Sequence, residues 1–331
     1  MAANLTPQYL DAEERYRAAK TPEDKLAALE EMWRELPKHK SSEKLQAELK
    51  KKLSAARQAI QQGARKSVGK VDPYAIAKSG AGQIALIGPP NSGKSAFVGA
   101  LTNAHVNVTE YPFGTPGPVP GMVRFEDVQI QLIDTPPITA EHVPAGMPGI
   151  WRTADALLIL VDLADDDLLE DLDMCLAHLA ERRIELTDGP RTLPEEAEGA
   201  LKVPGLVLAN KLDLPGAADN LETLRELFGA RVRIEPLATR DAASLQRFPE
   251  LLFRLIHIIR VYAKPPGRKP DLNEPFVIRT GCDIHELARK IYHGAEQRVH
   301  SARLWGAGVI DGQNVQMDHV LHDRDIVELH T

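Results

Sequence analysis

Cysteine is scarce, with two in 331 residues, and the chain has no apolar run of the roughly 18 residues that a membrane helix needs. Two thiols cannot staple a disulfide framework, and Cys175 and Cys282 stand in no catalytic context, so both read as inert. The first 20 residues, MAANLTPQYLDAEERYRAAK, lack the apolar centre of a secretory signal. These absences point to a cytoplasmic, reducing compartment and to no membrane partner. Excess positive charge is missing too: 40 Lys+Arg against 47 Asp+Glu leave a net charge of −7, which excludes a generic polyanion binder. Internal repeats and low-complexity segments are absent. Six of the eleven histidines fall in the last 61 residues, yet none has metal-ligand spacing beside cysteines or acids, and they read as surface residues.

The charge is unevenly spread. Residues 1–70 carry 15 basic and 10 acidic side chains, and 38–70 alone carry 10 basic residues against Glu43 and Glu48. At about 150 residues per domain the length favours two or three domains. Thr6-Pro7 and Thr21-Pro22-Glu23-Asp24 are helix starts, an N-cap followed by proline at the first turn. In the second helix Leu26, Leu29, Trp33 and Leu36 share a face, and a third helix after Ser41-Ser42 aligns Leu45, Leu49, Leu53 and Ile60. This predicts an N-terminal helical region over 1–70. On the third helix Lys44, Lys51 and Arg65 then face outward, flanked by Lys50 and Arg57.

From Gln83 short apolar runs alternate with helical stretches, the pattern of a mostly parallel α/β sheet. The runs are 84–87, 123–125, 128–133, 156–161, 206–209 and 232–234. The second and third are joined by Glu126-Asp127, which predicts an antiparallel hairpin at the sheet edge. A closing helix runs to about Tyr262, and the proline-rich basic stretch 264–272 reads as a linker. The expected domains are 80–263 and, after the linker, a small ubiquitin-like α+β module over 273–331.

Gly88-Pro89-Pro90-Asn91-Ser92-Gly93-Lys94-Ser95 satisfies G-x-x-x-x-G-K-[ST] between a strand and a helix. Gly88 and Gly93 let the backbone wrap phosphate oxygens, Ser92 lies in the wrap, Lys94 reaches the β and γ phosphates, and the Ser95 hydroxyl suits magnesium. Asp134 ends the strand 128–133, 40 residues after Lys94, at the place of a magnesium-holding aspartate. Asn210-Lys211-Leu212-Asp213 follows the strand 206–209. A carboxylate at Asp213 accepts both the ring N–H and the amino group of guanine, an edge adenine lacks, and gives discrimination on the order of 10⁴-fold. GTP and GDP are the expected nucleotides, and an ATP-dependent enzyme is opposed by Asp213.

With these motifs in place, the chain resembles the translation-factor-related GTPases, and among them the Obg and developmentally regulated GTP-binding protein (DRG) group, over nearly its whole length. YPFGTPGPVPG at 111–121 is similar to that group's first switch, whose magnesium-binding threonine is here Thr115. Leu237-Ala238-Thr239 sits at the fifth motif, where the resemblance implies a base contact from the Ala238 N–H. LPKHKSSEKLQAELKKKLSAAR resembles the DRG helical hairpin, and 273–331 the TGS domain, a ubiquitin-like module. The resemblance implies slow GTP hydrolysis with Mg²⁺, Lys94 and Thr115 around the transferred phosphate, and Asn91 as a K⁺ ligand or a brace of its own loop. It further implies a large-ribosomal-subunit or rRNA partner, met through residues 38–66 and the TGS domain.

Two departures stand out. The family's D-x-P-G is Asp134-Thr135-Pro136-Pro137, and proline has no N–H to offer a γ-phosphate, so the contact shifts to Ile138 or another donor, or the switch weakens. Ile138 also occupies the position of a water-orienting glutamine. The interval from Asp134 to Asn210 is only 76 residues, too short for the inserted domain of DRG proteins; the excess is expected as a loop over 186–201. A guanine-nucleotide sensor without useful catalysis is the alternative these departures keep open.

Overall fold

The computed structural model describes residues 7–18, 22–36, 49–53, 72–102, 117–194, 199–292 and 299–330, in two compact units, Met1–Asp72 and Pro73–Thr331. In the first unit α1 (Pro7–Ala18) and α2 (Pro22–Glu35) pack together with the helical residues 49–53. Their core is Tyr9, Ala12, Leu29, Met32, Leu36, Leu49 and Leu53. Met32 takes the inward place on α2, and Trp33, expected on that stripe, is 40% exposed. Lys50 and Lys51 are exposed, whereas Lys44, Arg57, Arg65 and the rest of the expected third helix lie outside the described residues.

The second unit is built on two sheets. The first has seven strands in the order β2 (Val119–Phe125), β3 (Val128–Asp134), β1 (Gln83–Ile87), β4 (Ala156–Asp162), β6 (Leu201–Asn210), β5 (Ile184–Thr187), with β7 (Ile234–Pro236) also on β6. All pairs are parallel except β2 with β3, the hairpin the Glu126-Asp127 turn predicts. Strands buried on both faces read as unbroken apolar runs because helices cover both sides. One face packs on α4 (Met147–Thr153), α5 (Leu168–Glu181) and α6 (Ala217–Phe228), around Trp151, Leu172 and Leu224. The other packs on α3 (Lys94–Thr102) and α8 (Phe248–Leu255), where Phe97 meets Phe248 edge to face at 5.3 Å. The short α7 (Ala242–Leu245) precedes α8 and is capped by the Asp241 carboxylate.

The helix expected to reach Tyr262 ends at Leu255, and β8 (Ile258–Ala263) follows almost at once. This strand does not close the first sheet. It lies within the second, of order β11 (Gln313–Val315), β10 (Ser301–Trp305), β12 (Asp325–His330), β8, β9 (Phe276–Arg279), with α9 (Ile284–Tyr292) packed on it through Ile284, Leu287 and Ala288. The sheet boundary therefore falls before Ile258 and not at 263, and the stretch 264–272 is a loop inside the second module. The reason is pairing: β8 runs parallel to β12 and antiparallel to β9, partners far along the chain that no local pattern reveals.

Where the sheets meet, Arg260 is 2% exposed. Its guanidinium donates to Asp323 at 2.6 and 3.1 Å, to Asp127 at 2.8 Å and to Glu126. It lies 4.9 Å from the ring centre of Phe253 and 5.4 Å from that of Phe125. Tyr262 donates to Asp127 at 2.5 Å, and Arg324 to Glu126 at 2.5 Å. Burial opposes the Arg260 charge, but hydrogen bonds to Asp323, Glu126 and Asp127 outweigh it and hold the guanidinium protonated. Asp127 and Asp323 stay below the usual carboxylate range, burial notwithstanding, because Arg260 and, for Asp127, Tyr262 donate to them.

Removing Arg260 strands these carboxylates, so Arg260→Met is expected to cost about 3 kcal/mol in chemical denaturation, while Arg324→Gln, at an exposed position, costs far less. The seam carboxylates have folded-state pKa values depressed below their ordinary 3.8. Their contribution is therefore complete above that value and is lost as pH falls through the lower, folded one. In the wild type stability should drop on acidification below about pH 4, and in Arg260→Met that acid-sensitive part should shrink. Equal acid profiles in the two proteins would contradict this account.

Candidate functional site

The loop after β1 is held by its own backbone geometry. Gly88 has φ +156° and Gly93 φ +99°; a Cβ on Gly88 would stand 2.3 Å from the Leu160 carbonyl, and one on Gly93 would stand 2.2 Å from Asn210 Nδ2. Only glycine fits either place. Asn91, between them, adopts φ +61°, is exposed, and its side chain makes no hydrogen bond among the described residues.

Lys94 is 6% exposed, and its ammonium donates to the Gly88 and Pro89 carbonyls at 2.9 and 2.6 Å and to Ser92 Oγ at 3.3 Å. Burial pulls its pKa down to about 8, with Asp134 opposing. Ser95 Oγ donates to Asp134 Oδ2 at 2.6 Å, while Asp134 Oδ1 is buried with no partner among the described residues. Burial raises the Asp134 pKa against the opposing pull of Ser95 and Lys94. A hydroxyl and a half-satisfied buried carboxylate side by side fit Mg²⁺, a hard cation that takes one or two protein oxygens and completes its shell with phosphate and water. Thr115, expected to join them, lies outside the described residues.

Asn210, at the end of β6 and 2% exposed, ties three segments together. Its Nδ2 donates to the Ser92 carbonyl at 3.0 Å, and its Oδ1 accepts from the Thr239 N–H and hydroxyl at 3.2 and 2.6 Å. The phosphate-type loop and the loop after β7 are thereby fixed to one strand end. Lys211, at φ +64°, pairs its ammonium with the Asp162 carboxylate at the end of β4. Asp213 is exposed. Asn91, Gly93, Asn210, Lys211 and Asp213 line a single cleft of about 390 Å³, whose far wall is Thr239 and Arg240.

Three placements differ from expectation or were missed. Ala238 does not line that cleft, and its N–H donates to Ser244 Oγ at 3.1 Å, so it is not free for a base. The turn after β7 brings Thr239 and Arg240 forward instead. The Ile138 N–H donates to the Gly88 carbonyl at 3.2 Å and its side chain is fully buried in the core, so Ile138 offers neither a free donor nor a side chain to the cleft. Asp162 escaped the sequence reading, although an acid ending the apolar run 156–161 was a visible signal.

Two family models match: a 50S ribosome-binding GTPase over residues 83–190, and a TGS domain over residues 259–331. The chain is thus a GTP-binding protein of the P-loop GTPase class with a C-terminal TGS domain. A GTP-binding protein of Methanocaldococcus jannaschii is 27% identical over 93% of this chain and 92% of its own length. One from Halobacterium salinarum is 26% identical over 93% and 98%. Developmentally-regulated G-protein 2 of Arabidopsis thaliana is 24% identical over 88% and 87%. The resemblance to the Obg and DRG type, with its terminal TGS domain, holds along the chain.

Because a bound cation would satisfy Asp134 Oδ1, millimolar Mg²⁺ together with GDP should raise the thermal midpoint above that with GDP alone. Asp134→Asn, which keeps the shape and removes the charge, should abolish that increment while GDP alone still stabilises. An increment that survives the substitution would place the cation elsewhere.

Proposed function

We propose that the chain is a guanine-nucleotide switch of the cytoplasm that binds GTP or GDP with Mg²⁺, hydrolyses GTP slowly alone, and acts on the large ribosomal subunit or rRNA. The observation that carries the nucleotide part is the Asn210 bridge, since it puts the phosphate-type loop and Asp213 on one cleft. Phosphates lie along Gly88, Asn91, Ser92 and Gly93, and Lys94 turns from its own loop carbonyls to the β and γ oxygens. Ser95, Thr115 and Asp134 hold Mg²⁺, which supplies charge neutralisation on the phosphates. Asn210 and Lys211 position the base, and Asp213 accepts from its N–H groups. The loop carrying Thr239 and Arg240 faces the carbonyl edge, in place of Ala238. Asn91, exposed on the cleft and with no side-chain hydrogen bond among the described residues, suits a K⁺ ligand better than a brace.

The ribosomal part is supported by the local basic excess of 38–70 on a net acidic chain, and by the family model over 83–190 being that of a 50S ribosome-binding GTPase. A second reading, a nucleotide sensor with little hydrolysis, is favoured by one observation: Pro137 has no N–H, and that of Ile138 is spent on Gly88.

Asp213→Asn is expected to weaken GTP binding and to raise relative affinity for xanthosine triphosphate, because an amide donates where the carboxylate accepted. Unchanged GTP affinity would remove base selection from Asp213. Single-turnover hydrolysis, measured in K⁺ and in Na⁺ with and without large ribosomal subunits, separates switch from sensor. The switch requires a faster rate in K⁺ and acceleration by subunits; rates indifferent to both would leave the sensor.

A further inference from the structure

Only Ile256 and His257 separate α8 from β8, so the two sheets of the second unit are joined by one short turn. His257 takes φ +49°, a left-handed conformation uncommon outside glycine and a mark of functional sites when the surroundings enforce it. The surroundings do so here. Its carbonyl accepts from the Thr280 N–H at 2.9 Å, and its Nε2 stands 2.9 Å from the Asp188 carbonyl, which makes Nε2 the protonated ring nitrogen.

Beside this turn opens a second cleft, of about 270 Å³, which shares no lining residue with the cleft at Asn210. Its lining includes the apolar Ile256, Ile258 and Val277, and brings Arg191 and His257 from one sheet's connections together with Arg279 and Lys290 of the other module. The acid on the wall, Asp155, has both oxygens engaged, one by Lys78 at 2.5 Å and one by the Gln83 N–H at 2.9 Å. The cations, by contrast, have donors to spare. Lys290 gives one hydrogen to the Val277 carbonyl and keeps two. Arg191 donates Nη2 to the Arg152 carbonyl, while its buried Nε has no partner among the described residues. Arg279 is exposed, with no carboxylate in pairing range among the described residues.

The three positive charges of Arg191, Arg279 and Lys290 around a partly apolar lining repel one another. An anion with several oxygens removes the repulsion and uses the idle donors at once. A cleft of this volume has room for a phosphoryl group or two. We propose that this seam cleft is a phosphate-binding site, separate from the nucleotide cleft, in which Arg191, Arg279 and Lys290 grip a phosphoryl group of an RNA backbone or of a free polyphosphate. Bound there, a phosphate ties the GTPase sheet to the TGS module. The RNA source rests on the ribosomal reading above; the free-phosphate source does not.

The test uses the full chain loaded with Mg²⁺ and GDP, so that the phosphate-type loop is filled. Pyrophosphate is titrated by calorimetry, and a short fluorescein-labelled oligouridylate by anisotropy across a salt series. At least one probe should bind, and Arg279→Gln with Lys290→Gln should weaken it about tenfold or more. For the RNA probe the double change should also flatten the salt slope by roughly 1.4, about 0.7 per lost phosphate contact. Arg191→Gln alone should act in the same direction, and GDP affinity should stay unchanged in all variants. Pyrophosphate binding without RNA binding assigns the site to a free phosphate, and variant-sensitive RNA binding assigns it to nucleic acid. Binding of neither probe, or binding indifferent to both sets of changes, overturns the proposal. Loss of GDP binding by the wild type would instead sink the nucleotide reading, so the two failures are distinguishable.

Discussion

The arrangement of the larger unit depends on where one guanidinium goes. A buried arginine cannot shed its proton, so Arg260 has to be met by carboxylates, and three of them converge on it from both sides of the seam. Two of the three, Glu126 and Asp127, form the turn of the β2–β3 hairpin. The opposite end of that hairpin pairs Val119 with Asp134, the carboxylate beside Ser95. A single strand pair thus runs from the TGS module at its turn to the nucleotide cleft at its free ends. Phe125 and Phe253, whose rings pack together at 4.9 Å, both lie against the same guanidinium, so apolar packing and charge pairing enforce the same docking.

At Lys94 and Asp134, beside the phosphate-type loop, burial without compensation is the common theme. Burial raises the Asp134 carboxyl and lowers the Lys94 ammonium, which means that each charge is held at a cost the protein alone does not offset. A cation at the first and phosphate oxygens at the second relieve both, which is the electrostatic logic of a site completed by its ligand. Asn210 has the opposite character. Its amide is engaged at both ends, Nδ2 donating to one loop and Oδ1 accepting twice from the other, so it holds two loops to one strand end where geometry must not drift.

The segment after Asp134 departs from the D-x-P-G that the family resemblance implies, and does so in a consistent way. Thr135 donates its hydroxyl to the Leu86 carbonyl at 2.5 Å, and Ile138 donates its N–H to Gly88 while burying its side chain. With prolines at 136 and 137, the chain from 135 to 138 is pinned at both ends and has lost its N–H groups between. A loop so anchored has few N–H donors to offer a γ-phosphate.

Much of this protein was legible along the chain, because the features concerned are local. The phosphate-type loop needs glycines at fixed spacing between a strand and a helix, a buried parallel strand needs an unbroken apolar run, and the Glu126-Asp127 hairpin needs a two-residue turn; each is written within about ten residues. The α/β sheet, the helices at 7–18 and 22–35 and the placing of Asn210, Lys211 and Asp213 on one cleft with Gly93 follow from such signals. What escaped was decided by partners distant in the chain. The strand 258–263 looks like the tail of a helix until β12 and β9 pair with it, and the withdrawal of the Ala238 N–H depends on where α7 brings Ser244. Arg260 and its three acids, or Arg191 and Arg279 across the seam, are ordinary surface charges to the eye that reads only neighbours. A charge becomes buried, paired or stranded only when the chain closes over it, and that closure is a property of the tertiary fold alone.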